Sequence, residues 1–191
     1  MNTLIINGHP SRESLIGAMG KAYAKGASQK GVDIKILEIS DLNINLAMTG
    51  RDDESEEPEY VKSSQELIRW ADHIVWFYPT WWADIPAKLK AFVEQVFTSG
   101  FAFKYKESKR YVKWDKYLNG KTAMLFSTMD GPAWYYKYFV GEPAFKMMRY
   151  NLKFCGFKKV GRKYYSSVVM SSEKQRLKWL NEIEVLGTKL K

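Results

Sequence analysis

"HIVWFYPTWWADIPAKLKAF", residues 73–92, decides the fold. Its first part, "HIVWFYP" (73–79), is a continuous apolar run, as in a strand covered on both faces of a parallel sheet. Then the period changes: Leu89, Phe92, Val93, Val96 and Phe97 recur at helical spacing. Asp84 is placed to cap that helix, Pro86 falls in its first turn, and Gly100 can close it. Between strand and helix stand two adjacent tryptophans, Trp81 and Trp82. In such a turn they either pack or line something flat.

Working outward, the same alternation repeats. "TLIIN" (3–7) reads as a buried strand, and 14–30 as a helix whose stripe is Leu15, Ala18, Met19, Ala22 and Gly26. The small members of that stripe allow close approach to a sheet. "VDIKILEI" (32–39) returns to strand character, 59–71 is helical, and "KTAMLFST" (121–128) is a strand. A helix lies within 138–154, residues 158–170 are extended, and 173–190 form a helix with Leu177, Leu180, Ile183, Leu186 and Leu190 largely on one side. The acidic "RDDESEEPE" (51–59) reads as an exposed loop, and "KYKESKRYVKWDKYLNGK" (104–121) as a basic, aromatic loop. Strands alternating with helices predict an α/β fold, a three-layer sandwich around a five-stranded parallel sheet. Right-handed crossovers leave few orders, and the flavodoxin-like 2-1-3-4-5 suits this length. With no repeat or linker, 1–191 reads as one domain.

Composition narrows the function classes. No apolar run reaches the length needed to cross a bilayer, and "MNTLIINGHPSRES" is no signal peptide, so no integral membrane segment is expected. Cys155, the one cysteine, excludes an internal disulfide, fits a reducing cytoplasm and reads as core packing. No metal site is read. The net charge of +9 can attract nucleic acid, anionic lipid or a phosphorylated cofactor. A nucleic-acid-binding domain would interleave lysines with stacking aromatics on one face; "KRYVKW" half satisfies that and leaves the strand-end loops unexplained. No nucleic-acid partner is expected. His73 reads as a strand-terminal surface residue.

In the order 2-1-3-4-5, ligands bind outside the carboxyl ends of the strands where the order reverses, between strands one and three. Three loops meet there. "GHPSRESL" (8–15) opens a helix, whose free amides and dipole favour an anion, with His9, Ser11, Arg12 and Ser14 as further donors. A phosphate cradle and a plain helix cap are both open readings. "YPTWWADIP" (78–86) sets turn amides beside two indoles. That suits a planar heterocycle with acceptors on its rim, such as an isoalloxazine, or packing between helices or protomers. In "STMDGPAWYY" (127–136), Ser127 and Thr128 can donate, Gly131-Pro132 enforces a turn, and Tyr135 can reach a ring edge. Equally, the pair is a strand terminus and the aromatics cover the core.

These loops, with "YPTWWADIPAKLKAFVEQVFTSGFAF" (78–103), "STMDG" (127–131) and "FCGF" (154–157), resemble the NAD(P)H:quinone oxidoreductase family of flavodoxin-like flavoproteins. The resemblance implies a bound flavin, FMN or else FAD, that takes hydride from NAD(P)H and passes it to a quinone or similar electrophile by a ping-pong mechanism. It implies that His9, Ser11, Arg12, Ser14 and Leu15 surround the flavin phosphate, and that Pro79, Thr80, Trp81, Trp82 and Ala83 hold the ring. Ser127, Thr128, Gly131 and Tyr135 flank its pyrimidine side, with Tyr135 the candidate catalytic residue. Phe103 and Tyr105 match substrate-pocket aromatics, often contributed across a homodimer interface. Trp81 stands where relatives carry glutamine, "STMDG" where they carry "TTGG", and no histidine follows the tyrosine, so Tyr135, Tyr136 or Lys137 would have to take its place. An alternative is a regulatory subunit of a membrane transporter.

Overall fold

The computed structural model describes residues 1–46, 57–107 and 111–190. In chain order the elements are β1 (Asn2–Asn7), α1 (Leu15–Ser28), β2 (Asp33–Glu38), a 3₁₀ turn (Ile39–Asp41), α2 (Glu59–Trp70), β3 (His73–Pro79) and α3 (Ala87–Val96). There follow β4 (Phe103–Lys106), β5 (Lys113–Lys116), β6 (Thr122–Thr128), the single turn α4 (Ala133–Tyr135), a π-helical turn (Tyr136–Val140), α5 (Pro143–Cys155), β7 (Lys159–Tyr165) and α6 (Glu173–Thr188).

The sheet runs β2-β1-β3-β6-β7 with every neighbouring pair parallel, which is the expected order 2-1-3-4-5. β3, at its centre, is buried over its whole length, so no polar alternation is possible there. β2, at one edge, buries only Leu37 and leaves Ile36 exposed. One face packs Ile5, Val75, Phe77 and Phe126 against Ile16, Met19 and Tyr23 of α1 and Ile183 of α6. The other packs Leu4, Ile6, Ile74, Trp76 and Leu125 against α2, α3 and α5. These are the three layers. α1 and α6 touch backbone to backbone: a Cβ on Gly26 would lie 1.9 Å from the Glu184 carbonyl oxygen, and one on Gly187 2.3 Å from that of Tyr23. Gly26 therefore serves a helix–helix contact, whereas Gly20 is the glycine of α1 that lies over the sheet, beside Ile5 and Phe77.

Local expectations are corrected at four places. Asp84 does not cap α3; Pro86 precedes its first residue with φ −55° and ψ 142°. The Asp84 carboxylate instead accepts from the amide of Ile85, at 2.7 Å. Gly100, at φ 91°, turns the chain after α3 has ended and donates its amide to the Phe103 carbonyl at 2.8 Å. The basic segment contains an antiparallel hairpin, β4 with β5, tied down where Trp114 stacks on Phe154 with ring centres 4.5 Å apart. Residues 108–110 of that segment, and all but 57–59 of the acidic one, lie outside the described residues. Cys155 is buried and desolvation pushes its thiol up to about 12, in keeping with core packing.

His73 is the fourth correction. It begins β3, yet only 6% of it is exposed, and its Nδ1 lies 2.7 Å from the Thr122 hydroxyl. Burial lowers its pKa from 6.5 to about 4. Above pH 6.5 it is neutral in both folded and unfolded chains and has no effect on the pH slope. As pH falls from 6.5 towards 4, the unfolded chain takes up a proton that the native protein refuses, and stability drops by roughly 3 kcal/mol. Urea titrations across that window should show this loss in the wild type, and His73→Gln should flatten the slope.

Candidate functional site

A cleft of about 610 Å³ opens at the carboxyl ends of β3 and β6. Thr80 to Ala83 form one wall and Met129 to Pro132 the other, with Tyr135, Tyr136 and Val140 at the end.

The first wall is built by a tight turn. The Trp81 amide donates to the Asp84 carbonyl at 2.8 Å, and the Asp84 amide returns a bond to Trp81 at 2.9 Å. The residues between them, Trp82 and Ala83, have φ of 50° and 66°. Two successive left-handed residues are the signature of a primed turn, normally made with glycine or asparagine. A side chain in that region costs of order 1 kcal/mol or more, and such strain concentrates at ligand clamps. Here it stands the Trp82 ring fully in solvent, at 102% relative exposure, over the cleft. Trp81 is 46% exposed and meets the His9 ring edge-on at 5.5 Å, which joins this wall to the loop after β1.

That loop is arranged by residues the sequence reading passed over. Asn7 accepts from the His9 amide through Oδ1 at 3.2 Å and donates through Nδ2 to Glu38 at 2.7 Å. His9 Nδ1 lies 2.9 Å from both the amide and the carbonyl of Ser11, accepting or donating according to tautomer. Ser14 is the cap of α1 and accepts from the Gly17 amide at 3.1 Å. Leu15 begins the helix and packs on the core. Arg12 forks onto Asp41, its Nε 2.6 Å from Oδ1, and the guanidinium holds that carboxyl below its usual range. Ser40 donates to Asp41 at 3.1 Å. The cap reading therefore holds for Ser14. With the Gly17 amide taken by that cap, the amides of Leu15 and Ile16 have no acceptor among the described residues, at a helix end beside Ser11 and an oriented Arg12.

Behind the second wall, Ser127 and Thr128 are buried. The Ser127 hydroxyl lies 2.6 Å from that of Thr80, and the Thr128 carbonyl accepts from the Thr80 amide at 2.7 Å. They hold Thr80 and do not line the cleft. Pro79 is likewise buried, as the last residue of β3. Met129 and Asp130 are tied to the segment around β7 by an amide bond to the Tyr165 carbonyl at 3.0 Å and a carboxylate bond from the Val169 amide at 3.1 Å. A Cβ on Gly131 would meet nothing within 4 Å, so this wall stands clear of its surroundings. Tyr135 is half exposed on the rim and stacks on Phe139 at 5.5 Å. Tyr136 is buried, and desolvation pushes its phenol up to about 12.

Phe103 and Tyr105 lie elsewhere in the chain. They meet each other edge-on at 5.3 Å and pack on Phe154, and Tyr105 lines a separate hollow with Lys106, Tyr111 and Val112. Among the described residues, no group of three or more His, Cys, Asp or Glu is placed to hold a metal, and no helix is long and apolar enough to cross a membrane.

The donor set fits a flavin. Among the described residues the amides of Trp82, Ala83, Asp130 and Gly131 donate to no other group of the chain. They edge a flat-walled aromatic cleft of ligand size, a short way from a helix amino end suited to phosphate.

A doubly wound parallel sheet with a cleft at its carboxyl edge, between β3 and β6 and next to the order reversal between β1 and β3, defines the class. Residues 1–185 match the flavodoxin-like fold family, and the chain belongs to it. Among curated relatives, it is 28% identical over 155 residues to a ribosyldihydronicotinamide dehydrogenase-like protein, traD, of Penicillium crustosum; the match covers 69% of this chain and 58% of that one. It is 25% identical over 183 residues to an NAD(P)H oxidoreductase of Haemophilus influenzae, over 92% of this chain and 89% of that one. Of solved structures, an NAD(P)H:quinone oxidoreductase from Methanothermobacter marburgensis superimposes with a TM-score of 0.81 at 23% identity, covering 100% and 99% of the two chains. An FMN-dependent NADH-azoreductase from Bacillus anthracis, in complex with FMN, gives 0.75 at 18% identity, covering 99% and 98%. At these identities the structures speak for the fold. The resemblance read from the sequence is borne out by the family and by the relatives' names.

If the left-handed turn is strained, removing the side chain from one of its residues should relieve it. Ala83→Gly should raise unfolding stability by about 1 kcal/mol in urea titration.

Proposed function

We propose that the protein is a flavin-dependent NAD(P)H oxidoreductase, folded as one flavin-binding domain, that reduces a quinone or a related electrophile by a ping-pong mechanism. The observation that carries this is the cleft between β3 and β6, whose tryptophan wall touches the loop after β1 across the order reversal and is edged by amides that donate to no other group among the described residues. Relatives named as NAD(P)H oxidoreductase and dehydrogenase support the donor, and a structural neighbour solved in complex with FMN supports the cofactor. FMN is preferred over FAD.

Bound flavin supplies reversible hydride acceptance, which lets a nicotinamide donor and an electrophile use one pocket in turn. The chain's own part is to bind, orient and shield. The Trp82 and Ala83 amides would hold acceptors of the ring, and the Trp82 indole would flank it. The Asp130 and Gly131 amides would do so from the opposite wall. Ser127 and Thr128 act from behind by fixing Thr80. Arg12, oriented by Asp41, stands with Ser11 and His9 beside the helix amino end for the phosphate. Tyr135 carries the candidate proton at the rim, on a half-exposed phenol free to meet a ring edge or substrate.

Trp134, Tyr138 and Phe139 are each more than half exposed next to the cleft, an aromatic surface that supports a homodimer. In such a pair Phe103 and Tyr105, which do not line their own cleft, would line the partner's. A cytoplasmic setting completes the reading.

Purified protein should be yellow, lose its colour with NADPH under nitrogen and regain it on adding a quinone; a colourless protein that takes up neither FMN nor FAD overturns the proposal. Acid release and chromatography of the flavin distinguish FMN from FAD. Trp82→Ala should raise the flavin dissociation constant about tenfold by fluorescence titration, the loss of roughly one stacking contact.

A further inference from the structure

Tyr136 lies beneath the cleft with 5% of its surface exposed. Its hydroxyl donates to the Ala83 carbonyl at 3.1 Å and accepts from the Ala144 amide at 3.2 Å. One oxygen thus joins the left-handed turn after β3 to the first turn of α5.

The tyrosine is itself held in place. Its ring meets Tyr164 edge-on at 5.5 Å, and the Tyr164 hydroxyl donates to Glu142 at 3.0 Å. Arg162 grips the same carboxylate through Nε at 2.6 Å and Nη2 at 3.1 Å. Glu142 is buried at φ 57°, directly after Gly141 at φ 85°, so the entry into α5 is fixed from both sides. Any relaxation of Ala83 to an ordinary negative φ reorients its peptide planes and carries its carbonyl off the phenol. The strained and relaxed forms of the turn therefore differ in this hydrogen bond, and the phenol favours the strained one.

We propose that Tyr136 is a positioning residue: by holding the Ala83 carbonyl it locks the turn in the form that presents the Trp82 and Ala83 amides to the ligand. The identity of that ligand rests on the flavin reading above; the lock rests on the hydrogen bonds alone. It also separates the adjacent tyrosines, Tyr135 open to the cleft and Tyr136 fully engaged by backbone groups.

Tyr136→Phe keeps the ring and removes both hydrogen bonds. In ligand-free protein, amide hydrogen exchange followed by NMR should quicken about tenfold at Trp81 and Asp84, whose mutual bonds close the turn, while β3 and α3 are unchanged. The FMN dissociation constant, read by fluorescence titration beside the wild type, should rise about tenfold. Tyr23→Phe removes a buried hydroxyl without a partner among the described residues and should alter neither reading. Unchanged exchange at Trp81 and Asp84 overturns the lock. Faster exchange throughout the sheet, with a matching fall in melting temperature, overturns it as well, because the phenol then serves general packing. A looser turn with unchanged FMN affinity overturns its service to the ligand. Wild-type protein that binds neither FMN nor FAD sinks the oxidoreductase reading by itself, and the exchange result still decides the lock.

Discussion

The paired bonds between Trp81 and Asp84 govern how the central strand leaves the sheet. β3 is buried along its length, so its chain can emerge only at the carboxyl edge, and α3 begins three residues after Asp84. The turn between must reverse direction in two residues. Glycine would do this without strain, but glycine would present no ring. Trp82 and Ala83 accept the left-handed conformation instead, and the surrounding bonds hold it: Thr80 from β6, Ala83 from Tyr136. The cleft follows from that constraint, because the turn is one of its walls.

Electrostatics at the other end of the site work differently. Arg12 and Asp41 are largely exposed, and an ion pair in water contributes little to stability. Its consequence is orientational. The carboxylate fixes the guanidinium across the top of β2 and β1, while Ser40 and Lys88 fix the segment carrying the carboxylate, the latter by donating to the Ser40 carbonyl at 3.0 Å. An arginine held this way is already ordered, which would lower the cost of gripping the phosphate proposed for this end of the site.

Much of the fold was legible because its central strands are buried on both faces and so read as unbroken apolar runs. β1, β3 and β6 fall in this group; their order pointed to the reversal between β1 and β3, and the cleft opens one strand over, between β3 and β6. Legibility failed where the deciding partner is distant in sequence. The hairpin of β4 and β5 is fastened through Phe103, Tyr105 and Trp114 to Phe154, 40 residues beyond Trp114. His73 looked like a polar strand end because burial depends on Thr122 and the neighbouring strand. Within the site, Trp82 was found by position, but nothing in "TWWAD" announces two positive φ angles, since neither glycine nor asparagine is there. Asn7, Asp41 and Tyr136 act through bonds to remote backbone or side chains, which a linear reading does not order.

The substitutions that set this chain apart from its relatives' pattern now have physical consequences. Trp81 brings an indole against His9, so a polar wall position becomes apolar and the histidine is shielded on one side. Met129 is buried, and Asp130 turns its carboxylate to the Val169 amide and away from the cleft's centre, so the second wall offers a ring its backbone amides more than its side chains. No histidine follows Tyr135 in the chain, and its neighbour Tyr136 already has one donor and one acceptor as partners. Lys137 lies over the Tyr138 ring at 4.9 Å. Of the three residues open to the histidine's place, Tyr135 alone presents an uncommitted polar group to the cleft. Were a flavin to bind as proposed, charge building on its reduced ring would be met chiefly by backbone dipoles that the strained turn fixes in advance, a preorganised kind of stabilisation.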